Sequence, residues 1–249
     1  MSHIELATSV DDVRRLLARC VQTARDENSA DAYFPLLYAW ETQDISAAAD
    51  DGVFESPDTL RRMIVAFANR YFTAREHFRT GQATSKAWGL AFRAARSTSA
   101  LVVQHLLLAM NAHINVDLAA AAAEVGVGWT DYSRVDVILG NGVERIQRGL
   151  NRTTLVLRAL DVVGGGLDEM FTIYSMKAAR RYAYQNARRL SATPEAGRAA
   201  IVAEADDCAL RLGERLLNPP IRDRVLLAVL RLTELNRSPR DMLTVLERT

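Results

Sequence analysis

The chain has 249 residues, of which 49% are hydrophobic and 24% charged, and these proportions are typical of a folded globular protein and exclude a disordered or collagen-like one. Its 31 basic and 30 acidic side chains give a net charge of +1, so we expect neither nucleic acid nor a membrane surface as a partner. The two cysteines, Cys20 and Cys208, are too few and too distant for a disulfide framework. The first residues lack the pattern of a signal peptide, and no run approaches the roughly 20 uninterrupted apolar residues that span a bilayer. We therefore expect a cytoplasmic protein.

Helix signals follow one another along nearly the whole chain. Apolar residues recur every three or four positions, whereas the alternation typical of strands is missing. Ser9 ahead of two aspartates is typical of a helix start, and so is Ser56-Pro57-Asp58. Helices are predicted from Ser9 onward, from about Asp31 to Ala49, from Ser56 to near Gly81, and in a shorter stretch after Thr84. Further helices are predicted from about Ser97, from Asp131, in the segment that ends at Gly164-Gly165-Gly166, and from Asp168 to Leu190. The last three are predicted to begin after Thr193, Asn218 and Ser238. The pattern predicts an all-α, single-domain multi-helix bundle over residues 1–249.

The most informative segment is LVVQHLLLAMNAHINVDLAAAAAEV, residues 101–125. It is apolar almost all the way round, so we expect a buried central helix around residues 98–115. A buried polar group without a partner costs about 1–3 kcal/mol, and this segment carries six polar side chains within fourteen residues. They are Gln104, His105, Asn111, His113, Asn115 and Asp117. So many costly residues point to a functional pocket.

Helical geometry divides these six residues into two sets. At about 100° per residue the three amides fall on one stripe, within about 40° of one another. His113 and Asp117 are four residues apart and can touch, so the carboxylate could orient the imidazole and raise its pKa. His105 lies about 80° and 12 Å from His113 along a regular helix. Two other interpretations stay open: the amides are core bridges between helices, and Asp117 caps a second helix that begins after a break near Asn115.

The same segment resembles a known family. Together with FANRYFTA at 67–74, Trp88 and GGGLDE at 164–169, it is similar to uncharacterised helical proteins, abundant in actinobacteria, that carry a QHLLLGMNAHINxDL signature. The likeness covers roughly residues 30–215 and departs from the signature at Ala109, where glycine is expected. The resemblance implies a helical fold, a bacterial origin and a domain of unknown function. It also implies that the six polar residues are signature positions.

Other polar residues could complete a pocket. Arg70 and Tyr71 lie within an apolar helical run, and Trp40 lies with Glu41 on another apolar helix. A buried guanidinium needs a carboxylate partner or an anionic ligand, so Arg70 either pairs with a structural acid or binds substrate. The basic residues of 177–189, which include Arg180, are predicted to form a solvated helix face.

These residues, together with the resemblance, favour an enzyme of bacterial biosynthetic metabolism that performs metal-free acid–base chemistry. His113, oriented by Asp117, is the predicted base or acid, with His105 as a second proton-transfer group. Gln104, Asn111, Asn115, Arg70, Tyr71 and Trp40 are the predicted substrate-binding residues. The expected partner is a small apolar metabolite with a carbonyl or carboxylate, and the expected reaction is an isomerisation, cyclisation, dehydration or hydrolysis.

Two rival functions remain open at this point. Nucleotide, dinucleotide, serine-hydrolase and magnesium-diphosphate motifs are missing, and no HExxH-type run supplies a third zinc ligand, so we expect no cofactor or metal. One rival is a metal-dependent enzyme that uses His113 and Asp117 with a distant carboxylate such as Glu41. The other is a binding protein whose amide stripe recognises a small ligand without changing it.

Overall fold

A computed structural model of the chain describes residues 4–97, 100–135, 138–139, 176–219, 224, 227–228, 231–232, 234 and 236–248. Several predicted features lie outside the described residues. They are the Gly164-Gly165-Gly166 turn with the helix that leads to it, the helix start at Asp168, and most of the segment that follows Asn218.

The described residues are helical along most of their length and contain no strand, so the all-α prediction is confirmed. The named helices are α1 (Val10–Asp26), α2 (Tyr33–Asp50), α3 (Pro57–Arg79), α4 (Lys86–Ala95), α5 (Val102–Ala112), α6 (Leu118–Val125), α7 (Met176–Ala192), α8 (Glu195–Leu217) and α9 (Pro239–Glu247). A short 3₁₀ helix, Ala30–Ala32, precedes α2, and residues 129–135 are also helical.

The predicted capping signals set the helix starts. The Ser9 side chain accepts a hydrogen bond from the backbone N–H of Asp12, and Ser238 forms a reciprocal capping box with Asp241 at the start of α9. Pro57 begins α3 because its fixed φ suits the first turn, although the Ser56 side chain makes no capping bond. At the other end of a helix, Gly126 adopts a left-handed φ of 68° and terminates α6.

The buried central helix begins later and extends further than the sequence predicts. It starts at Val102, because Gln104 accepts a hydrogen bond from the backbone N–H of Leu101 and closes the first turn there. α5 then continues through a π-helical turn, His113–Asp117, directly into α6. The run Val102–Val125 is long and apolar enough to cross a membrane, but 89% of its most apolar window is buried inside the bundle, as in a core helix.

The helices that pack against this central run determine where the site lies. α5 packs against α2, α4 and α8, while α6 packs against α3 and α7. The π turn lies between these two halves and contacts α3, α7 and α8. A π turn holds one extra residue per turn and is frequent at functional sites, so His113 and Asp117 lie where helix geometry is locally altered.

Candidate functional site

A mainly apolar cavity of about 90 Å³ lies beside the π turn. Its walls come from α2, α3, the end of α5, the π turn, the start of α6, residues 135 and 139, and the start of α7. A cavity of this size can hold a few water molecules or a small organic molecule. His113 lines it, which makes it the candidate site.

The His113 side chain is fixed by two contacts, and a third contact fixes its carboxylate partner. Its Nδ1 lies 2.9 Å from Oδ2 of Asp117, as the four-residue spacing predicts, and the indole Nε1–H of Trp88 donates to the same oxygen at 2.8 Å. The imidazole stacks on the ring of Phe67, with centroids 3.5 Å apart and the planes within 6°. Because the carboxylate can only accept, Nδ1 carries the proton and Nε2 keeps its lone pair. Asp117 therefore orients the histidine and makes no capping hydrogen bond to α6 with its side chain.

The net shift of the His113 pKa is opposite to the predicted rise, although Asp117 itself acts in the predicted direction. Burial lowers the pKa of His113, because a charged imidazole loses its hydration, and this effect exceeds the raising effect of the hydrogen bond and charge of Asp117. The side chain is almost fully enclosed, with 3% of the residue exposed. His113 is therefore a neutral imidazole whose Nε2 can accept a proton.

Three neutral side chains that line the cavity carry buried polar atoms without a hydrogen-bond partner among the described residues. These atoms are Nε2 of His113, the hydroxyl of Tyr38 and the hydroxyl of Thr42. Tyr38 and Thr42 lie one turn apart on α2, so they occupy the same face of that helix. Burial raises the pKa of Tyr38 well above its usual value, so its hydroxyl stays neutral. Unsatisfied buried groups are rare in native proteins, so three around one cavity make it a candidate binding site for a molecule with polar atoms.

Two charged side chains also line the cavity, Glu41 from α2 and Arg180 from α7. The prediction of a solvated face is wrong for Arg180, which is 4% exposed. Its guanidinium lies 4.9 Å from the ring centroid of Tyr132 and donates to the Tyr132 backbone carbonyl at 3.2 Å. The reason is that this side of α7 packs against residues 129–135, a neighbour that charge patterning alone does not reveal.

The three amides form one stripe, as predicted, but the stripe faces α8 and does not line the cavity. Gln104 Nε2 donates to the carbonyl of Leu216 at 2.9 Å, and Asn111 Nδ2 donates to the carbonyl of Ala209 at 2.7 Å. Asn115 Nδ2 in turn donates to Oδ1 of Asn111 at 2.9 Å. For these three amides the structure therefore supports the core bridge between helices, and not the predicted role in substrate binding.

His105 lies in a different place from His113. It lines a separate cleft of about 650 Å³ together with Tyr33 and Glu234, where its Nδ1 is buried without a partner among the described residues. Burial lowers the pKa of His105 to about 4. The two histidines do not share a cavity, so the structure does not bring His105 to the candidate site.

The remaining predicted binding residues also lie outside the cavity wall. Arg70 pairs with Glu124 at 2.9 Å, which is the structural ion pair that the sequence left as an alternative. Tyr71 is fully buried and packs 5.4 Å from the Trp88 ring, where it supports the site from behind. Trp40 is half-buried on α2. Among the described residues, no group of three or more His, Cys, Asp or Glu side chains is placed to hold a metal ion.

Sequence reasoning misses several residues of the site. It gives Trp88 no role in a pocket, and it assigns none of Thr42, Phe67 and Arg180 to one. One signal could have found Thr42: it follows Tyr38 by four residues on a helix that is otherwise apolar, so both hydroxyls fall on one buried face. The roles of Trp88 and Arg180 depend on which helices pack together, and no spacing within their own helices encodes that.

Comparisons with known proteins give a family and no activity. The profile of a family of unknown function, DUF5995, matches residues 10–219 of the chain. A search of curated proteins and a search of solved structures found no match.

Proposed function

We propose that this chain, which belongs to the family of unknown function DUF5995, is an enzyme that transfers a proton on a small, mainly apolar molecule, with His113 as the base. One observation carries the proposal: Nε2 of His113 and the hydroxyls of Tyr38 and Thr42 are buried without partners, among the described residues, around a single cavity. A bound molecule with polar atoms would satisfy all three groups.

The chemistry follows from the hydrogen bonds of the histidine. Asp117 holds Nδ1–H, so Nε2 is the atom that accepts a proton, and the carboxylate then stabilises the resulting imidazolium. The indole N–H of Trp88 donates to the same carboxylate oxygen and so holds Asp117 in position to orient His113. A positioned base of this kind contributes about 10²–10⁴-fold to a reaction rate.

The proposed setting is the bacterial cytoplasm, in a biosynthetic role. Both cysteines are free thiols, which suits a reducing compartment, and the proposed step needs no metal or cofactor because His113 itself accepts and returns the proton.

Deuterium transfer tests this proposal even while the substrate is unidentified. The purified protein would be incubated in D₂O with the small-molecule fraction of a bacterial extract, and mass spectrometry would identify compounds that gain deuterium. We expect labelling by the wild type and its loss, by about 10²-fold or more, in His113→Gln. His105→Gln is the matched control, because it changes an equally buried histidine outside the cavity and should label normally.

Other results would favour the rival functions. A compound that copurifies with the protein and is returned unchanged would favour a binding protein. Stoichiometric metal in the purified protein, lost in His113→Gln, would favour the metal-dependent enzyme. Equal labelling by the wild type and His113→Gln, at equal folded fraction, would contradict His113 as the base.

A further inference from the structure

We infer that the cavity beside His113 binds a neutral carbonyl compound, whose oxygen accepts hydrogen bonds from the hydroxyls of Tyr38 and Thr42. The part of this inference that concerns catalysis depends on the proposed role of His113 as a base. The part that concerns binding depends only on the polar groups around the cavity.

The chemistry of these polar groups defines the ligand. The Tyr38 hydroxyl is neutral, and neither it nor the Thr42 hydroxyl has a partner among the described residues. A threonine within a helix commonly bonds the carbonyl one turn earlier, and Thr42 does not, so its hydroxyl is available to a ligand. Nε2 of His113 can only accept. Among the neutral groups that line the cavity, two hydroxyls can therefore donate and one nitrogen can accept, and a carbonyl oxygen beside an acidic C–H complements both kinds of group.

Charge around the cavity argues for a neutral ligand over a carboxylate. Glu41 and Arg180 line the wall with opposite formal charges, and the negative charge of Asp117 lies directly behind His113. Arg180 already donates to the Tyr132 carbonyl. A buried carboxylate without a full counter-charge is costly, whereas a carbonyl oxygen needs only hydrogen-bond donors.

The same placement defines a balanced proton transfer. Nε2 of His113 takes a proton from the carbon next to the carbonyl, and the electron pair of that C–H bond forms a carbon–carbon double bond. The carbonyl π electrons move to the oxygen, which becomes an enolate held by the two hydroxyls. The imidazolium then returns a proton to the same carbon, which exchanges hydrogen, or to a conjugated carbon, which gives an isomer.

Binding of acetone tests the ligand class. Acetone has four heavy atoms and is smaller than benzene, which binds in an engineered cavity of about 150 Å³, so it suits a cavity of about 90 Å³. With ketone labelled at the carbonyl carbon, we expect a downfield ¹³C shift on binding to the wild type. Tyr38→Phe and Thr42→Val should each reduce that shift and weaken affinity several-fold, up to about tenfold. Tyr33→Phe is the matched control, because it changes a buried tyrosine of the same helix that lines the separate cleft beside His105 and not this cavity.

The outcomes separate the ligand class from the proposed reaction. Failure of acetone to bind, or tighter binding of acetate, which has the same number of heavy atoms, would overturn the inference whatever His113 does. Ketone binding that is unchanged in both Tyr38→Phe and Thr42→Val would overturn it as well. Hydrogen exchange next to the carbonyl is then measured in D₂O: ketone binding without exchange would contradict the base role and leave the ligand class intact.

Discussion

At the scale of single residues, His113 is governed by two opposing influences. Burial disfavours its charged form, while the carboxylate of Asp117 favours it, and burial is the larger of the two. The carboxylate oxygen also accepts the indole N–H of Trp88, so its negative charge is shared between two donors. His113 is therefore a neutral base at pH 7. Its ring is held at Nδ1 by Asp117 and on one face by the ring of Phe67.

Histidine NMR measures this balance directly, because the chain has only four histidines. We expect His113 to be the Nδ1–H tautomer at pH 7, with a pKa below 6.5. Asp117→Asn should lower that pKa further, since the raising influence is lost. Trp88→Phe should raise it, since the carboxylate then shares its charge with one donor fewer.

Two controls make the measurement specific. Trp129→Phe changes a tryptophan that is 45% exposed and belongs to a different aromatic group, so it should leave the His113 signals in place. A protonated His113 at pH 7, or an unprotonated Nδ1, would show that Asp117 does not orient the ring as a base.

At the scale of helices, the sequence predicts spacing well and neighbours poorly. The start of α1 at Ser9 and the contact between His113 and Asp117 follow from local rules that act within one helix. The direction in which the amide stripe faces does not follow from local rules, because angles around one helix do not show which other helix packs on that face. The π turn adds a further difficulty, since it breaks the 3.6-residue period on which the wheel is drawn.

Gln104 shows what the amide stripe does in place of binding a ligand. Its side-chain oxygen accepts from Leu101 at the start of α5, and its nitrogen donates to the carbonyls of Leu216 and Leu217 at the end of α8. The last carbonyls of a helix have no partner within it. One buried side chain therefore caps the ends of two helices.

Replacing this amide should lower the stability of the protein. We expect Gln104→Ala to reduce the free energy of unfolding by roughly 2–4 kcal/mol, because buried groups at both helix ends lose a partner. Gln82→Ala, at an exposed loop position, is the control and should change it by less than about 0.5 kcal/mol. Urea unfolding measures both variants, and a near-neutral Gln104→Ala would mean that the two helix ends are held by other contacts.

At the scale of the whole molecule, the two histidines of the central run lie in separate environments. His113 borders the apolar cavity, while His105 borders the larger cleft near the start of α5. In that cleft Glu234, from the segment before α9, accepts the backbone N–H of Val102 with both carboxylate oxygens at 3.2 Å. The cleft therefore joins the C-terminal segment to the central helix and contains two titratable groups, the buried His105 and the half-buried Glu234.

These two groups predict opposing effects of pH on stability. Burial raises the pKa of Glu234 from 4.5 to about 7, so the folded protein holds this proton between those values and stability falls as pH rises. Burial lowers the pKa of His105 from 6.5 to about 4, so the unfolded chain binds more protons in that range and stability rises with pH. Each shift corresponds to about 3 kcal/mol, and between pH 4.5 and 6.5 the two contributions largely cancel.

Single variants should expose each contribution. Relative to the wild type, we expect the free energy of unfolding of His105→Gln to decline as pH rises from 4.5 to 6.5, because this variant lacks the contribution of His105 that rises with pH. For Glu234→Gln we expect it to increase over the same range, because this variant lacks the contribution of Glu234 that falls with pH. Other groups that titrate in this range contribute to all three proteins and drop out of these differences. Urea unfolding at a series of pH values gives the two slopes, and slopes of the same sign would show that one of the groups is not buried in the state described.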